Sequence, residues 1–127
     1  MSGPVTTLYH PVGASELRLI EALQFRAFPP RLPEQPIFYP VLNEEYAIQI
    51  ARDWNTRFNN DGVGYVTRFA VGAAYLARSE RRIVGANMHE ELWIPAERLA
   101  EFNLMIVGKI EVIHTYTKND VLSETVG

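Results

Sequence analysis

Apolar and polar positions follow two different periods along this 127-residue chain, and together they predict short helices and strands. The helical period is concentrated in the first half. Ser15 precedes an apolar face made of Leu19, Ile20 and Leu23, which predicts a helix with Ser15 as its N-cap.

A second helix has the clearest pattern in the chain. Asn43 is a suitable N-cap, and the acidic pair Glu44 and Glu45 suits the positive end of the helix dipole. The predicted buried stripe of this helix is Tyr46, Ala47, Ile50, Ala51 and Trp54.

Alternation with a period of two predicts strands over much of the remaining chain. The predicted strands are residues 6–9, 65–71, 81–84, 90–94 and 106–116, with a short extended piece at 37–39. Pro95 ends one strand and begins a short helix over 96–102, and Gly108 is a candidate β-bulge. The mixture predicts one α+β domain over residues 1–127, with residues 1–5 and 117–127 as loose termini.

The segment from residue 28 to 40 holds five of the eight prolines and is expected to be stiff and extended. Such a segment suits a wall that faces a ligand, although an ordinary connecting loop explains it equally well. Arg26 and Arg31 flank its start and could clamp a diphosphate with paired hydrogen bonds. Arginines that simply face solvent are the equal alternative.

Composition excludes several classes of function. The chain has no cysteine, so disulfides, thiolate nucleophiles and sulfur-ligated metals are ruled out. Its net charge of -3 makes nucleic acid an unlikely partner. No apolar run approaches the roughly 20 residues that cross a bilayer, and the N-terminus lacks a leader pattern, so we expect a cytoplasmic protein without a membrane partner. Glycine-rich phosphate loops and the nucleophile elbow are also missing, and three scattered histidines predict no metal site.

Several side chains remain as candidates for chemistry. His10 stands at a strand end, and alternation places Glu91 beside His89 and Trp93 on one side of a strand, with Glu90 on the other. A carboxylate beside an aromatic ring can grip a ribose or stabilise a developing cation. The structural alternatives are an exposed histidine and solubilising surface charge. Tyr39, Tyr46 and Tyr65 could stack on an aromatic ligand, and core packing explains Tyr46 and Tyr65 equally well.

Short motifs in a particular order resemble the ADP-ribosyltransferase superfamily and, more closely, short bacterial proteins that carry an ADP-ribosylation label. The resemblance spans roughly residues 8 to 113. The motifs are LYH at 8–10, FPPRLP at 28–33, FYP at 38–40, EYA at 45–47, EELWIP at 90–95, FN at 102–103 and GKIEVI at 108–113.

The resemblance implies a split antiparallel β-sheet core that holds NAD in a cleft, and transfer of ADP-ribose from NAD to an unknown acceptor, such as a protein. It implies that His10 binds the adenosine ribose or phosphate, Tyr39 stacks on nicotinamide, and Glu91 bonds the nicotinamide ribose. Glu90 could replace Glu91. Arg26, Arg31 and Tyr46 complete the expected NAD-binding set.

Two other classes of function stay open. A non-catalytic module on the same scaffold, binding a nucleotide or a protein, would be favoured if His10 and Glu91 lie apart. An interaction protein without a ligand would be favoured if Tyr39 and Trp93 form an exposed apolar patch.

Overall fold

The computed structural model describes residues 3–58, 62–78, 80–83 and 90–117. The candidate His89 and the tail beyond residue 117 lie outside these ranges. The strands are β1 (Val5–Val12), β2 (Ile37–Phe38), β3 (Val63–Gly72), β4 (Glu80–Ile83), β5 (Glu90–Pro95) and β6 (Ile106–Thr117). The helices are α1 (Ala14–Ala22), α2 (Glu44–Gln49), α3 (Thr56–Phe58), α4 (Ala73–Leu76) and α5 (Leu99–Leu104). A π-helical turn (Ile50–Asn55) joins α2 to α3, and a 3-10 turn (Ala96–Arg98) precedes α5.

The strands form two antiparallel three-stranded sheets, with orders β1-β3-β6 and β2-β5-β4. Val41, just after β2, joins them. Its N–H donates to the carbonyl of Tyr9 in β1 at 2.8 Å, and its carbonyl accepts from the Tyr9 N–H at 2.9 Å. Val41 also forms an isolated bridge with Glu91 of β5. A seam between the sheets therefore runs through Val41, and the predicted α+β class is confirmed.

The strand β1 continues through Pro11, although proline was expected to end it near residue 9. The Tyr9 N–H points away from β3 and toward Val41. The nitrogen of Pro11, two residues later, points the same way, beyond the bridge between Tyr9 and Val41. Proline has no N–H to donate, but no hydrogen bond of the sheet is lost at that position. The extended strand matters for the site because it places His10 within a paired strand and not in a turn.

One face of the sheets, here called the core face, packs the main hydrophobic core. Leu8, His10 and Val12 of β1 are buried on it, together with Leu92 and Ile94 of β5. Its other members include Ile20 of α1, Phe28, Phe38, Phe69, Leu99 and Phe102. Leu99 and Phe102, on the short helix that follows Pro95, are both buried.

The opposite face, here called the α2 face, carries Tyr9, Val41 and Val66 beneath α2 and the π-helical turn. The Asn43 Oδ1 atom accepts a hydrogen bond from the Tyr46 N–H at 3.1 Å, which confirms the predicted N-cap.

The π-helical turn alters which residues of this helix are buried. Ala47, Ala51 and Asn55 are buried, whereas Trp54 is 61% exposed, so its predicted place in the buried stripe is wrong. A π turn holds more residues than an α turn, and this shifts the positions that follow it around the axis. Gly64 of β3 lies directly under this turn, against Ala51 and Asn55.

The first helix differs from its prediction in its cap and its buried face. Gly13 occupies the N-cap position, and Ser15 lies within the helix. Leu19 and Leu23 are 53% and 41% exposed, whereas Ile20 is buried. The side of the helix that carries Glu16 and Ile20 faces β1, and the Glu16 carboxylate pairs there with His10.

The strand β6 contains the predicted irregularity at Gly108. Arg68 pairs with Glu111 and Ala70 pairs with Val107. The pairing therefore advances by two residues along β3 but by four residues along β6. Gly108 has φ of +80°, a conformation that favours glycine, and the bulge is therefore confirmed. Among the described residues, no helix has the length and apolar character needed to cross a membrane.

Candidate functional site

The Glu91 carboxylate on the α2 face is held by two hydrogen bonds. The Trp93 Nε1 atom donates to Glu91 Oε1 at 3.0 Å, and the Tyr46 Oη atom donates to Oε2 at 3.3 Å. Alternation along β5 puts Glu91 and Trp93 on one side, as predicted. The Asn43 cap fixes the first turn of α2 and so positions Tyr46 over the strand. The result is a carboxylate with a defined orientation at the seam.

Tyr46 is a stable donor in this arrangement. Burial raises the pKa of its phenol, and the negative charge and hydrogen bond of Glu91 raise that pKa further. The phenol therefore keeps its proton at neutral pH, and the carboxylate is the acceptor. Among the side chains that the structure describes, each carboxylate oxygen accepts one hydrogen bond and has the capacity to accept a second from a ligand.

Tyr39 adjoins this carboxylate through Trp93. The two rings meet edge to face, with centroids 5.4 Å apart and an interplanar angle of 87°. Tyr39 is 38% exposed. The structure thus brings together three of the residues singled out from the sequence, Tyr39, Tyr46 and Glu91, with Trp93 between Tyr39 and Glu91.

His10 lies on the core face and does not join this group. It is 7% exposed, and its ring packs against Phe28 and Phe38 at centroid distances of 5.4 and 4.6 Å. Tyr9, its neighbour, is in register with Val41 and through it with Glu91. Opposed residues of antiparallel strands share a face, so His10 and Glu91 point to opposite faces. The expected convergence of His10, Tyr39 and Glu91 in one hollow is therefore not observed.

The polar partners of His10 lie on the first helix and in the proline-rich segment. Its Nε2 atom is 3.4 Å from Glu16 Oε2, and its Nδ1 atom is 3.3 Å from the backbone oxygen of Tyr39. Arg31 lies 3.8 Å from the same Glu16 oxygen and stands over the Phe38 ring at 5.5 Å. The Arg31 Nε atom is buried and has no hydrogen-bond partner among the described residues.

The two arginines expected to clamp a diphosphate are apart. Arg26 is exposed and follows Phe25, whose carbonyl accepts a hydrogen bond from the Ile110 N–H of β6 at 2.7 Å. The strand β6 is the outer edge of its sheet. Arg31 instead belongs to the His10 group, so the structure gives no paired clamp.

Glu16 and Tyr9 were not singled out from the sequence as site residues. In the sequence, Glu16 is an ordinary acidic residue in the first turn of a predicted helix. No neighbouring residue indicates that it pairs with His10. Tyr9 shares a face with Glu91 only through the register of Val41. Both placements depend on long-range pairing.

Replacing Glu16 with Gln is expected to lower stability at neutral pH and to reduce sensitivity to acid. Burial alone would raise the pKa of Glu16, but the hydrogen bond and charge of His10 and the charge of Arg31 outweigh it and hold that pKa below 4.5. The unfolded chain then binds more protons near this pH, so the stabilisation is present above about pH 4.5 and is lost as the pH falls through the folded pKa. Urea unfolding at successive pH values measures this. Parallel pH profiles for the wild type and the variant would contradict the assignment.

Within the described residues, no group of three or more His, Asp or Glu side chains is arranged to hold a metal ion. Comparison of the chain with protein-family models, with curated proteins and with solved structures finds no match.

Proposed function

We propose that this protein binds NAD on the α2 face and acts as an ADP-ribosyltransferase-like domain. Glu91 would bond the nicotinamide ribose, and ADP-ribose would pass to an acceptor that is not identified, with protein as the first class to test. The observation that supports this best is the orientation of the Glu91 carboxylate by Tyr46 and Trp93 at the seam between two three-stranded sheets.

The main requirement of the proposed reaction is a negative charge that the protein holds at the correct position. The bond from ribose C1′ to the nicotinamide nitrogen breaks, nicotinamide leaves with the electron pair, and the acceptor nucleophile attacks C1′ and gives up its proton. Positive charge develops on the ribose in between, as in glycoside hydrolysis. A fixed carboxylate stabilises that charge without reorganising.

The aromatic side chains around Glu91 suit a ligand with a flat ring. Tyr39 is partly exposed, its ring edge contacts Trp93, and both stand beside the carboxylate. A nicotinamide ring could stack there while its ribose reaches Glu91. Tyr9, on the same face one strand away, extends the aromatic surface across the seam.

A second candidate is a non-catalytic nucleotide- or protein-binding module on the same scaffold. The separation of His10 from Glu91 favours it, because the adenosine end of NAD would then lack the partner that the family resemblance implies. Such a module would bind NAD or a related nucleotide and leave it intact.

Two measurements on the purified chain test the proposal and separate these candidates. Calorimetric titration measures NAD binding, and release of nicotinamide measures turnover. We expect both. Binding without release would leave the second candidate, and the absence of any NAD binding would overturn the first.

Replacing Tyr46 with Phe is expected to lower kcat by roughly tenfold while KM changes little, because the phenol orients Glu91 in this account and does not itself carry the charge. The ring stays, so packing over Val41 is kept. Steady-state nicotinamide release measures the effect. A rise in KM at unchanged kcat would contradict a positioning role for Tyr46.

A further inference from the structure

A cleft of about 270 Å³ opens where β5 runs past the start of β4. Glu80, the first residue of β4, pairs with Trp93, so Ile94 and Pro95 extend beyond the neighbouring strand. The C-terminal end of α4 and the turn before α5 enclose the gap. Its lining consists of Tyr75, Arg78, Trp93, Ile94, Pro95, Arg98 and Glu101.

Among the described side chains that line this cleft, two arginines and one glutamate leave a net positive charge. No hydrogen bond or ion pair engages the guanidinium of Arg78 or Arg98 within the described part of the chain. Glu101 instead bonds the phenol of Tyr75. Burial, the charge of Glu101 and this hydrogen bond raise the pKa of Tyr75, while the charges of Arg98 and Arg78 oppose the rise. Arg78, Arg98 and Glu101 therefore all lie close enough to the Tyr75 phenol to influence its pKa.

The cleft also offers apolar and aromatic walls beside the two cations. Trp93 and Tyr75 supply ring surface, and Ile94 and Pro95 supply an apolar floor. Guanidinium groups bind phosphate oxygens with paired hydrogen bonds, and rings stack on flat ligands. The volume is slightly below the roughly 300–1,000 Å³ that is usual for small-molecule sites, which suits a mononucleotide better than a dinucleotide.

We propose that this cleft binds a nucleoside monophosphate, with the phosphate between Arg78 and Arg98 and the base against Trp93. The site is separate from the Glu91 carboxylate, although Trp93 borders both. It does not depend on NAD binding or on turnover.

Calorimetric titration with AMP, adenosine and inorganic phosphate tests the proposal. AMP is expected to bind more tightly than either of its parts, because the cleft contacts both the phosphate and the base. Affinity should fall with added salt, since the arginines are exposed. The absence of AMP binding, or equal binding of AMP and phosphate, would overturn the proposal.

Matched variants test the assigned residues. Arg78→Gln and Arg98→Gln should each weaken AMP binding about tenfold, whereas Glu101→Gln should strengthen it severalfold by removing negative charge from the cleft. Arg18→Gln, at an exposed position of α1, is the control for net charge. Neither arginine belongs to the Glu91 group, so nicotinamide release should be unchanged in both arginine variants, which keeps this test distinct from the test of the proposed function. An AMP affinity that is unchanged in both arginine variants would overturn the proposed site.

Discussion

Replacing Glu91 with Gln is expected to lower nicotinamide release about a thousandfold, the order seen when one preorganised electrostatic group is removed from a transition state. Glutamine keeps the shape of the side chain but not its charge, so it cannot stabilise a cationic ribose. The amide oxygen can still accept from Trp93, and the amide nitrogen can donate to the Tyr46 Oη atom, because a phenol also accepts hydrogen bonds. The fold should therefore be retained in this variant.

The neighbouring acid Glu90 is the matched control for this variant. Alternation turns Glu90 to the other side of β5, so Glu90→Gln should leave nicotinamide release close to that of the wild type. Thermal unfolding of both variants checks that the fold is retained. Release that survives the Glu91 change undiminished, or that depends on Glu90 instead, would show that the catalytic role is misassigned.

Replacing Gly64 with Ala is expected to be the most damaging small substitution in the fold. The added Cβ would overlap the backbone carbonyl oxygen of Ala51 and lie 2.9 Å from the Asn55 Cβ atom. Both neighbours belong to the π-helical turn, and backbone cannot move aside as a flexible side chain can. Overpacking of this kind costs about 3 kcal/mol. The melting temperature should fall by roughly 10 °C.

Gly72→Ala is the control for the Gly64 variant because it makes the same chemical change near the end of the same strand. A Cβ at Gly72 would meet nothing within 4 Å, and its φ of -54° suits alanine. The melting temperature should change little. Equal losses in the two variants would mean that the close approach of β3 to the π-helical turn is not what makes Gly64 necessary.

Local signals in the sequence predicted much of the fold. The cap at Asn43, the proline at the end of β5 and the glycine bulge in β6 each act within a few residues, so their effect can be inferred without tertiary contacts. The alternation of β5 likewise placed Glu91 and Trp93 on one side of the strand. These features made the α+β class predictable.

The predictions of buried helix faces were wrong where tertiary contacts or a local change of helix type determine which residues are buried. Leu19 and Leu23 fit a helical stripe, but α1 turns toward the polar partner His10 instead. Trp54 fits its stripe until the π-helical turn changes the angle per residue. Neither effect can be inferred from apolar spacing alone.

The candidate site was predicted only in part for the same reason. Tyr46 and Glu91 were expected from their residue types and the family resemblance, and they do lie together. His10 was expected beside them, but its face depends on the register between β1 and Val41, which one residue of shift would reverse. The sequence alone does not determine that register.

The most direct test of the account is the position of bound NAD in a crystal of the complex. We predict the nicotinamide ribose within hydrogen-bonding distance of the Glu91 carboxylate, with the nicotinamide ring against Tyr39 and Trp93. NAD bound on the core face beside His10 and Arg31, with Glu91 left without a ligand contact, would contradict it.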